Sequence, residues 1–156
     1  MVTPERTRGA VHLVDRLVLV RIYVDGSALC RYLLDTDEAA AWRAWAATRE
    51  PTFLTSPLAL TELRRVADRG GPILRAAARD VGERLEVVRF SDQALQWATR
   101  VTSVLSPFGA LHLGIAVAHP DVTTVATYDA RLATVALLHG LEVVTPGRTA
   151  GWWDRS

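Results

Sequence analysis

Three acidic residues stand where the sequence changes from strand-like to helix-like patterning. Asp25 ends the β-branched run LVLVRIYVD, Asp129 follows VTTVATY, and Glu62 falls in the first turns of the helix predicted for PLALTELRRVADR. Because the carboxyl ends of parallel strands share one edge of a sheet, we expect these carboxylates to lie together. Grouped carboxylates repel one another and raise each other's pKa, and Mg²⁺ or Mn²⁺ relieves that repulsion because both ions prefer oxygen ligands. The three acids therefore predict a divalent-metal site that could activate water against a phosphodiester.

Each acid also has a structural interpretation when it is taken alone. Asp25 is suited to cap the helix that begins at Gly26, and Asp129 is suited to cap ARLATVALL. Glu62 alone is an ordinary surface charge on a helix. The metal-site prediction therefore depends on the three residues being considered together.

The segment SPFGALHLGIA, residues 106–116, starts as a helix but carries an unexpected residue. Ser106 is suited to the N-cap and Pro107 to the first helical position. An acid is favoured three residues after the cap, where it faces the positive end of the helix dipole. Gly109 occupies that position and costs a helix about 0.5–1 kcal/mol relative to alanine.

Short apolar runs alternate with helix-like segments along most of the chain, which predicts one α/β domain. The sheet is expected to be mainly parallel and covered by helices on both faces. The domain is assigned to residues 17–147, with a C-terminal tail over 148–156. Residues 1–16 are interpreted as an N-terminal arm, an upstream start or sequence added for expression. Within the domain, LEVVRF is predicted as a strand and QALQWATRVTSVL as a helix.

Composition favours a globular protein in a reducing compartment. Hydrophobic residues make up 49% of the chain and charged residues 22%, and no apolar run is long enough to span a membrane. Cys30 is the single cysteine, which excludes an intrachain disulfide and makes the cytoplasm the expected location. All 18 basic residues are arginine, and the net charge is only +1, so charge alone does not predict nucleic-acid binding.

Four motifs in order resemble the PIN-domain ribonucleases, in particular the VapC-type toxins of toxin–antitoxin pairs. IYVDGSALCRYLL is similar to the family's opening strand and helix, with Asp25 at the first acid and Ser27 at the hydroxyl two residues later. SPLALTELRRV carries Glu62 at the family's glutamate, and ATYDARLATVALLHGLEVV carries Asp129 at the fourth acidic place. FGALHLGIA resembles the family's Asp-Ala-Leu-His-Leu-Ala segment, with Gly109 in place of the third acid.

The resemblance implies a three-layer α/β/α PIN-like fold and an endoribonuclease that depends on Mg²⁺ or Mn²⁺. It implies Asp25, Glu62 and Asp129 as the catalytic and metal-binding residues. It also implies an RNA substrate, a homodimer, and a VapB-type antitoxin as partner.

Two positions depart from the family pattern. Gly109 leaves three explanations open: an introduced inactivating change, a natural degenerate copy, or an enzyme that works with weaker metal binding. Loss of one ligand is expected to weaken metal binding and turnover. Gly26, where the family often has serine or threonine, is the milder departure because its backbone N–H remains.

Several other residues carry two interpretations each. Ser27 and Thr127 flank the acids and are suited to support them from behind, although a strand-end hydroxyl such as that of Thr127 also commonly bonds the backbone. The arginines after Glu62 form either a solvated helical face or a strip for RNA phosphates. They are Arg64, Arg65, Arg69, Arg75, Arg79 and Arg84, of which the first three are the candidate RNA-binding residues.

Three further groups complete the sequence-level assignments. His112 lies one turn after Gly109, and its interpretation as a packing residue is favoured over contact with metal or substrate. Trp42 and Trp45, three residues apart, are expected to cover the core. Trp152 and Trp153 either fold back onto the domain or meet a partner.

A non-catalytic PIN-like module that binds RNA or antitoxin is the main alternative function. A DNA-processing nuclease of the same architecture is a weaker alternative, because the short chain carries no added duplex-binding module.

Overall fold

A parallel sheet forms the centre of the molecule. The computed structural model describes residues 20–155; the arm predicted for 1–16 and the first residues of the strand predicted from Leu17 lie outside the described residues. Within the described part, the strands are Arg21–Val24 (β1), Phe53–Thr55 (β2), Glu86–Val87 (β3), Val122–Ala126 (β4) and Glu142–Val144 (β5). Their order is β3-β2-β1-β4-β5, and every pairing is parallel. The predicted mainly parallel sheet is confirmed, and β1 lies at its centre.

Helices cover both faces of this sheet, as predicted. The α-helices of the described residues are Gly26–Leu29 (α1), Asp37–Ala46 (α2), Pro57–Gly70 (α3), Pro72–Arg84 (α4), Asp92–Thr99 (α5), Pro107–Ala118 (α6) and Ala130–Leu138 (α7). Hydroxyl side chains cap four of them by accepting a backbone N–H three residues later: Thr36, Ser56, Ser91 and Ser106. None of the helices in this described part is both long and apolar enough to span a bilayer.

Two predicted elements are shorter than the sequence pattern suggested. α5 ends at Thr99 instead of continuing to Leu105, because the β-branched residues that follow lower helix propensity. The turns after Thr99 still bury Val101 and Leu105 in the core. The strand predicted for LEVVRF is reduced to Glu86–Val87, an exposed edge strand paired only with β2 among the described strands.

Alternation along β1 divides the core between the two faces of the sheet. Tyr23 packs with the cluster formed by α5, α6 and α7, whereas Val24 packs with the cluster formed by α1 to α4. Trp42 is completely buried in the second cluster, where its ring stacks on Phe53 at a centroid distance of 5.8 Å. The three-layer α/β/α fold and the core position of Trp42 are therefore confirmed.

The C-terminal tail folds back onto the domain. Trp152–Arg155 form a short 3₁₀ helix that packs against α7. The Arg148 guanidinium lies 4.2 Å from the Trp152 ring centroid, and its Nε donates to Glu38 of α2 at 2.5 Å. The first of the two interpretations of Trp152 and Trp153 is the observed one.

Candidate active site

Asp25 is a buried carboxylate at the end of the central strand. Its side chain is only 2% exposed, and it caps α1 by accepting the Ala28 N–H through Oδ1 at 2.9 Å. The Ser27 hydroxyl donates to the same oxygen at 2.7 Å, and the Thr127 hydroxyl donates to Oδ2 at 2.5 Å. Burial raises the pKa of Asp25, while the charge of His112 and these hydrogen bonds oppose that rise. Three of about four acceptor positions are filled, which leaves one for a further ligand.

Ser27 and Thr127 join Asp25 to the loop that follows β4. The Ser27 hydroxyl accepts the Tyr128 N–H at 2.8 Å, and the Thr127 hydroxyl accepts the Asp129 N–H at 3.0 Å. Both side chains thus contact Asp25 directly while also fixing the backbone that carries Asp129. Thr127 therefore bonds both Asp25 and the backbone, and the support of a metal ligand by Ser27 and Thr127 stays a prediction.

Asp129 follows β4 at the same edge of the sheet, and it is exposed to solvent. Its Oδ1 caps α7 by accepting the N–H groups of Arg131 and Leu132 at 2.9 and 3.1 Å. Its Oδ2 accepts no hydrogen bond from any described residue. The capping interpretation is therefore correct for Asp25 and Asp129 alike, and it leaves one oxygen of Asp129 available.

Glu62 reaches the site from the second turn of α3 and rests against α1. Its side chain is 34% exposed, and its Oε2 lies 2.9 Å from Nε2 of His112. The carboxylate occupies the space beside Gly26, where a Cβ would stand 1.6 Å from Oε2. Glu62 therefore packs against the residue that follows Asp25 in the chain.

His112 connects Glu62 to the core. The imidazole, only 4% exposed, approaches the Tyr23 hydroxyl through Nδ1 at 2.7 Å. Tyr23 in turn donates to Ser56 Oγ at 2.9 Å. The sequence interpretation of His112 as a packing residue missed its contact with Glu62. Its position one turn after Gly109, on the same side of α6, was the available signal.

Gly109 lies at the predicted third position of α6, where its N–H donates to Ser106 Oγ at 3.1 Å. A Cβ at this position would stand 3.3 Å from Ser106 Oγ and 3.6 Å from the Leu105 Cβ. These contacts require a shift of only a few tenths of an ångström. The fold thus accommodates a Cβ at position 109.

The donor chemistry of the edge fits a hard divalent cation. Asp25, Glu62 and Asp129 offer carboxylate oxygens, although no group of three or more His, Cys, Asp or Glu side chains between residues 20 and 155 stands in a ready-made metal cluster. Mg²⁺ commonly uses one or two carboxylates and keeps several waters. Asp25, Glu62 and Asp129 supply oxygen donors of that kind.

The whole of this edge falls inside a recognised domain. The PIN domain profile matches residues 22–149, a span that contains Asp25, Glu62, Gly109 and Asp129. The chain belongs to the PIN domain family. Its α/β/α layers and parallel sheet agree with that assignment.

Two curated ribonucleases are similar to most of this chain. Ribonuclease VapC46 of Mycobacterium tuberculosis (strain ATCC 25618 / H37Rv) is 29% identical over 130 residues, which cover 82% of this chain and 99% of the relative. Ribonuclease VapC47 of Mycobacterium tuberculosis (strain CDC 1551 / Oshkosh) is 29% identical over 132 residues, which cover 81% of this chain and 97% of the relative. The predicted resemblance to VapC-type PIN ribonucleases is confirmed.

The arginines predicted to form one strip on this PIN domain divide between two surfaces. Arg64 lines a groove of about 420 Å³ between α3 and α4, together with Arg75 and Arg79. Asp68 and Glu83 line the same groove, so its charge is mixed. Arg65 and Arg69 are exposed on α3 but do not line this groove.

Proposed function

We propose that this PIN domain is a VapC-type toxin, an endoribonuclease that hydrolyses RNA phosphodiesters with Mg²⁺ or Mn²⁺. The observation that carries the proposal is the buried Asp25 carboxylate, which Ser27 and Thr127 hold at the end of the central strand, with Glu62 packed against the adjacent Gly26. A carboxylate kept out of water with a raised pKa gains most from an adjacent cation. The names of the two relatives support RNA as the substrate.

Asp25, Glu62 and Asp129 are the residues that would hold the ion and form the catalytic centre. When bound, such an ion supplies Lewis-acid stabilisation of phosphodiester charge and lowers the pKa of bound water. Ser27 and Thr127 hold the Asp25 carboxylate in one orientation, and they tie the Asp129 backbone to it. These hydrogen bonds fix the positions of Asp25 and Asp129, and neither hydroxyl is proposed to contact the substrate.

Gly109 is expected to make this chain a weak or inactive nuclease. Gly109 stands where the family has its third acid, so the chain has three of the four expected acids, although a Cβ fits at this position. We predict that Gly109→Asp raises the rate of RNA cleavage and tightens Mn²⁺ binding about tenfold or more, while Gly109→Ala does neither. Single-turnover cleavage of a labelled RNA with Mg²⁺ or Mn²⁺, together with Mn²⁺ titration by calorimetry, measures both effects.

The alanine variant is the matched control because it adds the same Cβ without the carboxylate. Asp25→Asn in the Gly109→Asp protein is expected to abolish cleavage. Equal cleavage by the original chain and the Gly109→Asp variant would contradict the proposed role of Gly109. Absence of cleavage and of Mn²⁺ binding in both would contradict the proposed function.

A VapB-type antitoxin, a homodimer and a cytoplasmic location complete the proposal. They follow from membership of the VapC type, and the single cysteine supports a reducing compartment. Arg64, Arg65 and Arg69 are proposed to contact RNA phosphates, since all three are exposed on the helix that carries Glu62.

Gly109 also favours a second candidate function, a PIN-like module that binds RNA or antitoxin without cleaving. Mn²⁺ titration separates the two functions. A catalytic protein binds Mn²⁺ and loses that binding on Asp25→Asn, whereas a pure binding module retains RNA affinity without dependence on Asp25.

A further inference from the structure

The contact between Glu62 and His112 fixes a side chain that would otherwise be free to turn. Glu62 is the partly exposed member of the pair, and a glutamate side chain has many rotamers. His112 is almost fully buried on a different helix, and its Nε2 lies 2.9 Å from one oxygen of Glu62. The buried His112 imidazole therefore holds the partly exposed Glu62 carboxylate in one orientation.

The imidazole is itself fixed from behind. Its Nδ1 contacts the Tyr23 hydroxyl at 2.7 Å, and Tyr23 contacts Ser56, the residue that caps α3. Because Glu62 belongs to α3, the chain of contacts begins and ends on the same helix. Strand β1, helix α3 and helix α6 are thereby held in one relative position at the site.

Gly26 supplies the space for this arrangement. A Cβ at position 26 would stand 1.6 Å from Oε2, 2.4 Å from Cδ and 2.8 Å from Cβ of Glu62. The backbone of Gly26 does not have a positive φ, so glycine is not required there by conformation. What the absent side chain provides is room for the Glu62 carboxylate.

We propose that His112 is a positioning residue that holds the Glu62 carboxylate against Gly26, the residue after Asp25, in a space that exists because residue 26 is glycine. The proposal deepens the proposed function, since it says how Glu62 is presented to a metal ion. His112 acts through Glu62 and does not itself touch the ion or the RNA.

The first experiment uses metal-free protein, so its outcome does not depend on catalysis. Unfolding equilibria of the original chain, His112→Leu, Glu62→Ala and the double variant form a double-mutant cycle. We expect coupling of about fivefold or more in the unfolding constant, as is usual for residues in contact. Additive effects of the two substitutions would overturn the proposal.

Gly26→Ala tests the same contact without altering either partner. In ¹⁵N-labelled metal-free protein, the His112 side-chain nitrogen signals are assigned by their loss in His112→Gln. We expect these signals to change position in both Gly26→Ala and Glu62→Ala. The backbone amide spectrum of each variant should remain that of a folded protein. Unchanged His112 signals in both variants would overturn the proposal.

Mn²⁺ titration in the Gly109→Asp protein then separates positioning from simple packing. We expect His112→Leu and Gly26→Ala to weaken Mn²⁺ binding by about tenfold to a hundredfold, and His112→Gln, which keeps an N–H donor, to restore part of it. His139→Leu is the matched control, because that imidazole bonds only the Val135 carbonyl among the described residues.

The two proposals fail in different ways. Mn²⁺ binding that is equal in the parent protein and in His112→Leu would overturn the positioning role. If no variant with intact Asp25 binds Mn²⁺, the proposed function fails, and the metal-free coupling still decides whether His112 holds Glu62.

Discussion

At the scale of single residues, the site combines carboxylates with very different surroundings. Asp25 is enclosed and carries a raised pKa, while Asp129 is open to solvent and Glu62 lies between these extremes. An enclosed carboxylate without a cation destabilises the fold, because burial disfavours its charged form. The protein retains this unfavourable group where the proposed chemistry requires it.

A second carboxylate, Glu50, shows the opposite behaviour and gives a pH prediction. Hydrogen bonds from Arg84, and a further one from Tyr32, lower the pKa of Glu50 from its usual value of 4.5. A lowered folded-state pKa stabilises the fold above the unfolded pKa, and this contribution is lost as pH falls below 4.5 through the folded pKa. We expect Glu50→Gln to lose about 1 kcal/mol of unfolding free energy at pH 7, with the difference from the original chain closing in acid.

Urea denaturation at a series of pH values measures this difference. Asp80→Asn is the matched control, since Asp80 pairs with the same Arg84 one turn away but is 67% exposed. It is expected to change stability little at any pH. A Glu50→Gln deficit that stays constant from pH 7 into acid would contradict the assignment.

At the scale of secondary-structure elements, helix α6 contains two glycines with different roles. A Cβ on Gly114 would stand 2.2 Å from the Ala94 carbonyl oxygen and 3.1 Å from the Ala98 nitrogen, both in α5. The two helices therefore approach so closely that only glycine fits at position 114. Gly109, by contrast, has room for a side chain.

We predict opposite outcomes for alanine at these two positions. Gly114→Ala is expected to destabilise the protein by about 1–3 kcal/mol, because backbone atoms of α5 must move. Gly109→Ala is expected to be neutral or to stabilise by up to about 1 kcal/mol through helix propensity. Denaturant midpoints of the two variants provide the measurement, and a Gly114→Ala protein as stable as the original would refute the close helix contact.

Sequence reasoning predicted element boundaries best where a side chain marks them. Ser106 was recognisable as a cap with a proline next to it, and its helix begins as expected. The predicted C-terminal end of α5 was wrong, because Val101 and Leu105 are buried by turns and not by a continued helix. Periodicity alone does not distinguish these two ways of burying the same residues.

The candidate site was predictable in part for a related reason. Asp25 and Asp129 follow strands, so topology alone brings them to one edge. The contact of His112 with Glu62 depends on how α3 and α6 pack and on the absence of a side chain at Gly26. Neither the packing of α3 against α6 nor the space beside Gly26 can be predicted from the spacing of residues within one helix.

At the scale of the whole molecule, exposed arginines are expected to make RNA binding depend on salt concentration. Arg64, Arg65 and Arg69 are exposed, and none forms an ion pair with another described residue. We predict that replacing one of them with alanine weakens RNA binding and reduces the slope of log affinity against log salt by about one.

Fluorescence anisotropy with a labelled RNA at several salt concentrations measures the slope, in the Asp25→Asn protein so that the RNA is not cut. Arg100→Ala is the control, because Arg100 lies at the end of α5 and stacks over Trp97. Equal slopes for all four arginine variants and the parent would exclude contact of Arg64, Arg65 and Arg69 with RNA phosphates.

The hydrogen bond from Thr127 to Asp25 joins residues 102 positions apart, and it has a consequence for synthesis of the protein. A chain still emerging from the ribosome has β1 and Asp25 early, but it lacks the hydroxyl that orients this carboxylate until β4 has been made. Asp129 follows only after that. The candidate site therefore stays incomplete while most of the chain is being synthesised, and it is complete only after β4 and Asp129 have been made.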